Sequence, residues 1–149
     1  MRIALVSDEP YPVHQTLLAA LRARGHEPVP FGAVASGQEE PWATVAEQAA
    51  RAVAAGDCPL GVFLCWTGTG ICMAANKVPG VRAALCGDPG TAAGARIWNH
   101  ANVLCLSNRT LSDDMAREIL AAFLDTDPGD RGAEGVRRLN DLDARTRRS

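Results

Sequence analysis

Short apolar runs alternate along this chain with amphipathic, alanine-rich stretches, and that alternation restricts the fold more than any other feature. The runs at residues 3–7, 27–31, 61–65, 82–85 and 103–106 have strand length. Within them Val62, Phe63, Leu64 and Cys65 follow one another with no polar residue, as a strand buried on both faces requires. Helical spacing falls near residues 13–24, 42–55, 70–77, 88–97, 113–124 and 133–145. The pattern predicts a single α/β domain over residues 1–149. Its core is a doubly wound, five-stranded parallel sheet with helices on both faces, Rossmann-like, with an extra C-terminal helix.

Local punctuation agrees with these boundaries. Asp88 before Pro89 reads as an N-cap followed by proline at the first helical position. Ser112 before Asp113 and Asp114 supplies a cap and negative charge at a positive helix end. Gly25 reads as a stop after the first helix, and residues 32–41 read as a loop.

Composition narrows the function classes. No apolar run reaches membrane-spanning length, and the opening stretch to Val6 is too short for a signal-peptide core before it meets Asp8 and Glu9. A cytoplasmic protein is the expectation. Five cysteines without a CxxC pair argue against a disulfide framework, and His14, His26 and His100 have no metal-ligand spacing. A net charge of -2 gives no reason to expect a nucleic acid partner. The charge is uneven, however: from Arg131 onward six arginines face Glu134, Asp141 and Asp143. Such a basic segment reads either as a solvated terminal helix or as a device that reaches across a subunit boundary or holds an anion.

A doubly wound sheet binds ligands at the carboxyl ends of its strands, near the point where strand order reverses. That rule points to Ser7-Asp8-Glu9, to the loop from Cys65 to Gly70, to Gly87-Asp88, and to Ser107-Asn108-Arg109. The Cys65 loop is the strongest signal. Cys65 ends a buried strand, and Thr67, Gly68, Thr69 and Gly70 lead into a helix, so free amides and the helix dipole favour negative charge there. The same amides suit an oxyanion that develops during reaction. A thiolate beside them fits nucleophilic attack on an acyl group or proton abstraction next to a carbonyl, and spacing alone does not choose between the two. Cys58, Cys72, Cys86 and Cys105 read as buried structural residues. Gly68-x-Gly70 is followed by Met73 where a dinucleotide fingerprint has its third glycine.

The run Cys65-Trp66-Thr67-Gly68-Thr69-Gly70, then Ala74-Ala75-Asn76-Lys77 and Gly80-Val81-Arg82-Ala83, resembles the ribose-5-phosphate isomerase B and galactose-6-phosphate isomerase family. Asp8, Asn99, Asn102-Val103-Leu104 and Arg109 extend the match. The resemblance implies an aldose–ketose isomerase acting on a sugar or sugar phosphate, with no metal and no cofactor. Cys65 would move a proton between C2 and C1 through a cis-enediolate, whose oxygen is bound by amides around Trp66, Gly68, Thr69 and Gly70. Thr67 would assist ring opening, Asn99 would hold the reacting oxygens, and Asp8 would bond sugar hydroxyls. It further implies a homodimer, or a tetramer built from one, with the site shared between subunits and a C-terminal arginine reaching phosphate in the partner.

Four positions depart from that family's pattern. Its ring-opening histidine is Trp98 here, followed by Asn99 and His100, so His100 becomes a candidate replacement. Its phosphate-contacting histidine is Glu9. The first of two C-terminal arginines falls on Ala133, with the second kept as Arg137 and with Arg131 or Arg138 as substitutes. The glycine after the cysteine is Trp66. Glu9 and Ala133 oppose phosphate, while Trp66 and Trp98 can form an apolar wall or stack on a sugar face, or else serve as interface or core residues. The expectation is an isomerase whose preferred substrate differs from ribose 5-phosphate: a shorter open-chain sugar phosphate or an unphosphorylated sugar. A catalytically silent sugar- or nucleotide-binding protein is the alternative.

Overall fold

In a computed structural model that describes residues 1–147, the apolar runs form five parallel strands. These are β1 (Arg2–Ser7), β2 (Glu27–Gly32), β3 (Leu60–Cys65), β4 (Ala83–Leu85) and β5 (Val103–Ser107), in the order β2-β1-β3-β5-β4. The helices are α1 (Val13–Ala23), α2 (Ala33–Ser36), α3 (Trp42–Ala54), α4 (Thr69–Ala75), α5 (Pro89–Asn99), α6 (Asp113–Asp125) and α7 (Ala133–Thr146). Every residue of β3 is buried, which accounts for its unbroken apolar sequence.

Helices α1 and α3 to α6 bury the stripes that their spacing marks, whereas α7 buries only Val136. On one face α3 packs Val45, Ala46, Ala49, Ala50 and Val53, together with Ile71 and Ala75 of α4, against Ala4, Val6, Phe63 and Val103. On the other, Leu17 and Leu21 of α1, Ala92 and Ala95 of α5, and Ile119, Leu120 and Phe123 of α6 cover Ile3, Leu5, Val62, Leu64, Leu104 and Leu106. The small alanines let α3 sit close to the sheet, while side chains such as Phe63 and Phe123 contribute roughly 1.5–3 kcal/mol each by leaving water.

The caps act as their sequences indicate. Asp88 accepts from the Thr91 N–H at 2.8 Å, and Ser112 accepts from the Met115 N–H at 3.1 Å. The loop expected at residues 32–41 contains the single turn α2, which ends at Gly37. β4 is shorter than expected because the Arg82 N–H donates to Asn102 Oδ1 at 2.7 Å rather than to a neighbouring strand. α7 follows a tight approach. A Cβ on Gly132 would overlap the carbonyls of Ile97 and Trp98 at the end of α5, so only glycine lets the chain pass there.

The strand order fixes where a ligand can enter. From β1 the chain moves to β2 on one side, whereas from β3 it moves the other way, to the edge strand β4 and back to β5 between them, so the direction reverses between β1 and β3. In register, Ser7 stands beside Leu64 and Cys65 beside Ser107, which brings the loops after β1, β3 and β5 to one end of the sheet. No described helix is long and apolar enough to cross a membrane.

Candidate active site

A cavity of about 310 Å³ opens at the reversal point, lined by Asp8, Trp42, Cys65, Trp66, Thr67, Thr69 and Gly70. Cys65 is only 6% exposed: at the end of β3 it belongs to the core cluster that holds Val6, Phe63 and Ile71, and it also borders this cavity. Gly68 makes the sharp turn, with φ 77° and ψ -11°. A Cβ there would lie 2.6 Å from Leu85 Cδ1 and 2.9 Å from the Leu106 carbonyl, so the loop needs glycine both for its dihedral and for its space. The amides of Gly68 and Gly70 donate to no group among residues 1–147. Thr67 and Thr69 share a hydroxyl–hydroxyl bond of 2.6 Å beside them.

Asp8 faces the thiol loop from β1. Its carbonyl accepts from the Glu40 N–H at 2.8 Å, while its buried Oδ1 has no hydrogen-bond partner. Burial raises the Asp8 carboxyl above the ordinary carboxylate range, and Glu9 and Glu39 add to the effect. An orphaned acceptor of this kind suits a ligand hydroxyl. The sign follows from proton linkage. A raised folded-state value means that the folded form holds the proton more tightly, so the stabilisation is present at low pH and is lost as pH rises through that value. Asp8→Asn is therefore expected to raise the thermal midpoint at pH 7 by about 2 °C, a small figure because the group is partly screened by solvent. The gain should shrink towards pH 4, and differential scanning calorimetry at the two pH values reads it; a fall in the pH 7 midpoint contradicts the assignment.

Glu9 does not stand free. The Tyr11 hydroxyl donates to Glu9 Oε2 at 2.6 Å, which pushes the phenol up to about 12. The Tyr11 ring stacks on Trp66 with centroids 5.9 Å apart. Trp42 supplies the opposite wall, its indole 3.2–3.4 Å from where a Gly70 Cβ would stand. The sequence carries no site signal at Trp42, Tyr11 or His14, whereas Asn108 falls in the strand end that the ligand rule marks. Trp42 is in phase with Val45, Ala46 and Ala49 and so reads as core. It overhangs the cavity because α3 begins beyond the strand ends.

The remaining candidates lie elsewhere in the chain. Arg109 borders a neighbouring cavity of about 360 Å³ that it shares with Thr67, Cys86 and Ser107. Asn99 lines a separate cavity of about 340 Å³ with Asn76, Arg82 and Leu139. His100 caps α5 in a left-handed conformation, φ 46°, with its buried Nε2 unpartnered, and it does not line the Cys65 cavity. Trp98 is half exposed under the Arg131 guanidinium, 4.7 Å from the ring centroid, so within one chain the indole facing Trp66 across the cavity is Trp42. Arg137 is held by Glu134 at 2.9 Å and approaches Asp141 at 3.7 Å, and Arg138 also pairs with Glu134. Arg131 has no carboxylate partner among the described residues.

Of the other cysteines, burial pushes the Cys86 thiol up to about 11 and Cys105 well above its usual value. Cys72 is half-buried, and a hydrogen bond from Cys105 lowers its thiol despite burial. No group of three or more potential metal ligands gathers among the described residues.

Comparison with known proteins places this geometry. The ribose/galactose isomerase family model matches residues 3–142. D-erythrulose-4-phosphate isomerase of Pectobacterium atrosepticum is 36% identical over 112 residues, covering 75% of this chain and 74% of that one. The structure of Clostridium thermocellum ribose-5-phosphate isomerase B superposes with a TM-score of 0.91 at 33% identity, over 99% of this chain and 100% of that one. Mycoplasma genitalium ribose-5-phosphate isomerase B with bound ribulose-5-phosphate superposes at 0.89, with 31% identity and 97% coverage of both chains. With the family model spanning residues 3–142 and the fold superposing over nearly the whole length, the chain belongs to the ribose/galactose isomerase family, and its activity class is that of a sugar-phosphate isomerase.

Proposed function

We propose that this protein interconverts an open-chain aldose phosphate and its ketose, a four-carbon sugar phosphate being the best-fitting substrate. The observation that carries the reaction is Cys65 at a cavity that Asp8 and Gly70 also line, beside the unused amides of the glycine turn. The Cys65 thiolate takes the proton from C2 of the aldose, and the C–H electron pair moves into the C1–C2 bond while the carbonyl electrons move onto O1. The cis-enediolate is held by the Gly68 and Gly70 amides, with Asp8 accepting from a sugar hydroxyl. The thiol then returns its proton to C1, and the O2 hydroxyl proton passes to O1. Removing a proton next to a carbonyl is difficult because the carbanion is poorly stabilised, and the amides lower that barrier as charge reaches oxygen.

Two features support the short substrate. Trp98 stands where the family's ring-opening histidine is expected, and a tetrose 4-phosphate has no free hydroxyl with which to close a five-membered ring. The relative from Pectobacterium bears the name of a four-carbon sugar phosphate isomerase. Arg109 borders the cavity next to the thiol loop, whereas Asn99, Trp98 and Arg137 lie at the far end of α5 and on α7. A homodimer in which a second copy brings these groups to the Cys65 cavity would complete the site. Arg131, stacked on Trp98 and without a carboxylate partner among the described residues, then replaces the arginine missing at Ala133 as the phosphate contact, while Arg138 stays bound to Glu134.

The test is a kinetic panel with C2 proton–deuterium exchange as a second readout. Erythrose 4-phosphate is expected to exceed ribose 5-phosphate in kcat/KM by about 10²-fold, the scale of one missing acid–base contribution. Trp98→His should narrow that gap. Faster turnover of ribose 5-phosphate by the wild type defeats the short-substrate assignment, and absence of exchange with every sugar phosphate leaves a silent binder.

A further inference from the structure

A buried chain of polar side chains runs behind the site and touches none of the reacting atoms. His14 is 3% exposed, Ser7 is 0% and Asn108 is 9%. The Tyr11 N–H donates to His14 Nδ1 at 3.4 Å, so that nitrogen is the acceptor and the ring proton sits on Nε2. Nε2 then donates to Asn108 Oδ1 at 3.0 Å, which orients the amide so that Asn108 Nδ2 donates to Ser7 Oγ at 3.2 Å. The Ser7 hydroxyl in turn donates to the Glu9 carbonyl at 2.7 Å and accepts from the Glu9 N–H at 3.3 Å. Each link in the chain pairs a donor with an acceptor, and reversing the amide would set donor against donor at His14 and acceptor against acceptor at Ser7. Burial lowers the His14 imidazole below its ordinary value, in keeping with the neutral ring that this pattern needs.

The backbone gives the chain its reach. The Asn108 N–H donates to the Cys65 carbonyl at 2.9 Å, while the neighbouring Arg109 N–H and the Ser107 hydroxyl both bond the Trp66 carbonyl, at 3.1 and 2.9 Å. Asn108 therefore holds the thiol loop by its main chain and the Asp8 loop by its side chain. Because β1 and β5 flank β3, the Asn108 amide and the Ser7 hydroxyl together bridge the ends of two strands that do not pair with each other.

We propose that His14 and Asn108 are positioning residues of the reaction, which lock the turn carrying Asp8 against the loop carrying Cys65. The inference rests on the isomerase reading, and it gives a use to three buried polar groups that a hydrophobic core would otherwise exclude. His14 also touches Tyr11 edge-on, with centroids 6.0 Å apart, and Tyr11 supports the Trp66 wall, so loss of the imidazole loosens both sides of the cavity.

His14→Leu, Asn108→Ala and the double variant test it on the sugar phosphate that the wild type turns over best. Each single variant is expected to lose about 30- to 100-fold in kcat with less than a threefold change in KM, the cost of a misplacement near 1 Å. The double variant should be no worse than the poorer single, because the groups act as one unit. His14→Gln, which keeps a donor at the Nε2 position, should recover most of kcat and serves if the leucine variant does not fold. Unchanged kcat per folded molecule with a lowered thermal midpoint assigns the network to stability alone and overturns the proposal, as do effects that multiply in the double variant. A second readout does not need turnover: iodoacetamide should alkylate Cys65, followed by peptide mass, at least fivefold faster in Asn108→Ala. An equal rate also overturns the proposal, whereas a wild type inactive on every sugar phosphate, with the alkylation difference present, sinks the isomerase reading and leaves the positioning network standing.

Discussion

Cys65→Ala and Cys65→Ser are expected to lower kcat/KM by about 10³- to 10⁴-fold while the thermal midpoint moves by no more than about 3 °C. The two quantities separate for a structural reason. Cys65 is largely buried, but its thiol borders the Asp8 cavity, so shortening it removes a small side chain from a site that already holds open space. The loss of rate has a chemical origin. Proton transfer needs a base whose ionised form is available near neutral pH, and a serine hydroxyl of the same shape does not supply one. The free amides at Gly68 and Gly70 and the Asp8 carboxylate remain in the variants, so substrate binding should survive with KM within threefold. Steady-state kinetics and C2 deuterium exchange check both halves. A serine variant that keeps a tenth of wild-type exchange would remove Cys65 from the role of base and direct attention to Asp8.

The fold was legible because the two spacings are so different. A strand such as β3 is apolar at every position, whereas α3 repeats its apolar residues every three to four, and no other arrangement satisfies that contrast across the whole chain. What escaped was short or depended on distant partners. α2 is four residues long, too brief to show a period, and the start of β4 is set by the Asn102 side chain, 20 residues away from Arg82.

The site divided in the same way. Asp8 and the stretch from Cys65 to Gly70 were legible because each directly follows a strand, and strand order alone carries them to one cavity. Asn99, His100, Trp98 and Arg137 also stood out in sequence, yet one chain holds them away from Cys65. In the proposed dimer their placement would depend on association, which a pattern within one chain does not encode. The His14–Asn108 contact joins residues 94 positions apart, and although Asn108 lies at a strand end that the ligand rule marks, nothing local pairs it with His14, so only the folded arrangement reveals the contact. Trp42 was hidden by being in phase with a stripe of core alanines.

Gly68→Ala is expected to cost about 2–4 kcal/mol of stability and most of the activity. Two independent penalties act at this position. Its φ of 77° lies in the left-handed region, where an L-residue loses roughly 1–2 kcal/mol. The added methyl would also stand 2.9 Å from the Leu106 carbonyl of β5 and 2.6 Å from Leu85 Cδ1. The leucine tip can turn aside, but the carbonyl belongs to the sheet and cannot, so the loop must lift away from β5. Lifting it moves the Gly68 and Gly70 amides from the place where charge develops and shifts Cys65 relative to Asp8. The remaining activity should therefore fall through kcat, with surviving folded protein binding sugar phosphate nearly normally. Gly87→Ala is the control, since a Cβ there meets nothing within 4 Å and φ is not positive, and it should leave the thermal midpoint within about 2 °C of wild type. Equal behaviour of the two variants in denaturant unfolding and in turnover would show that the turn after Cys65 is not the rigid oxyanion cradle on which the mechanism depends.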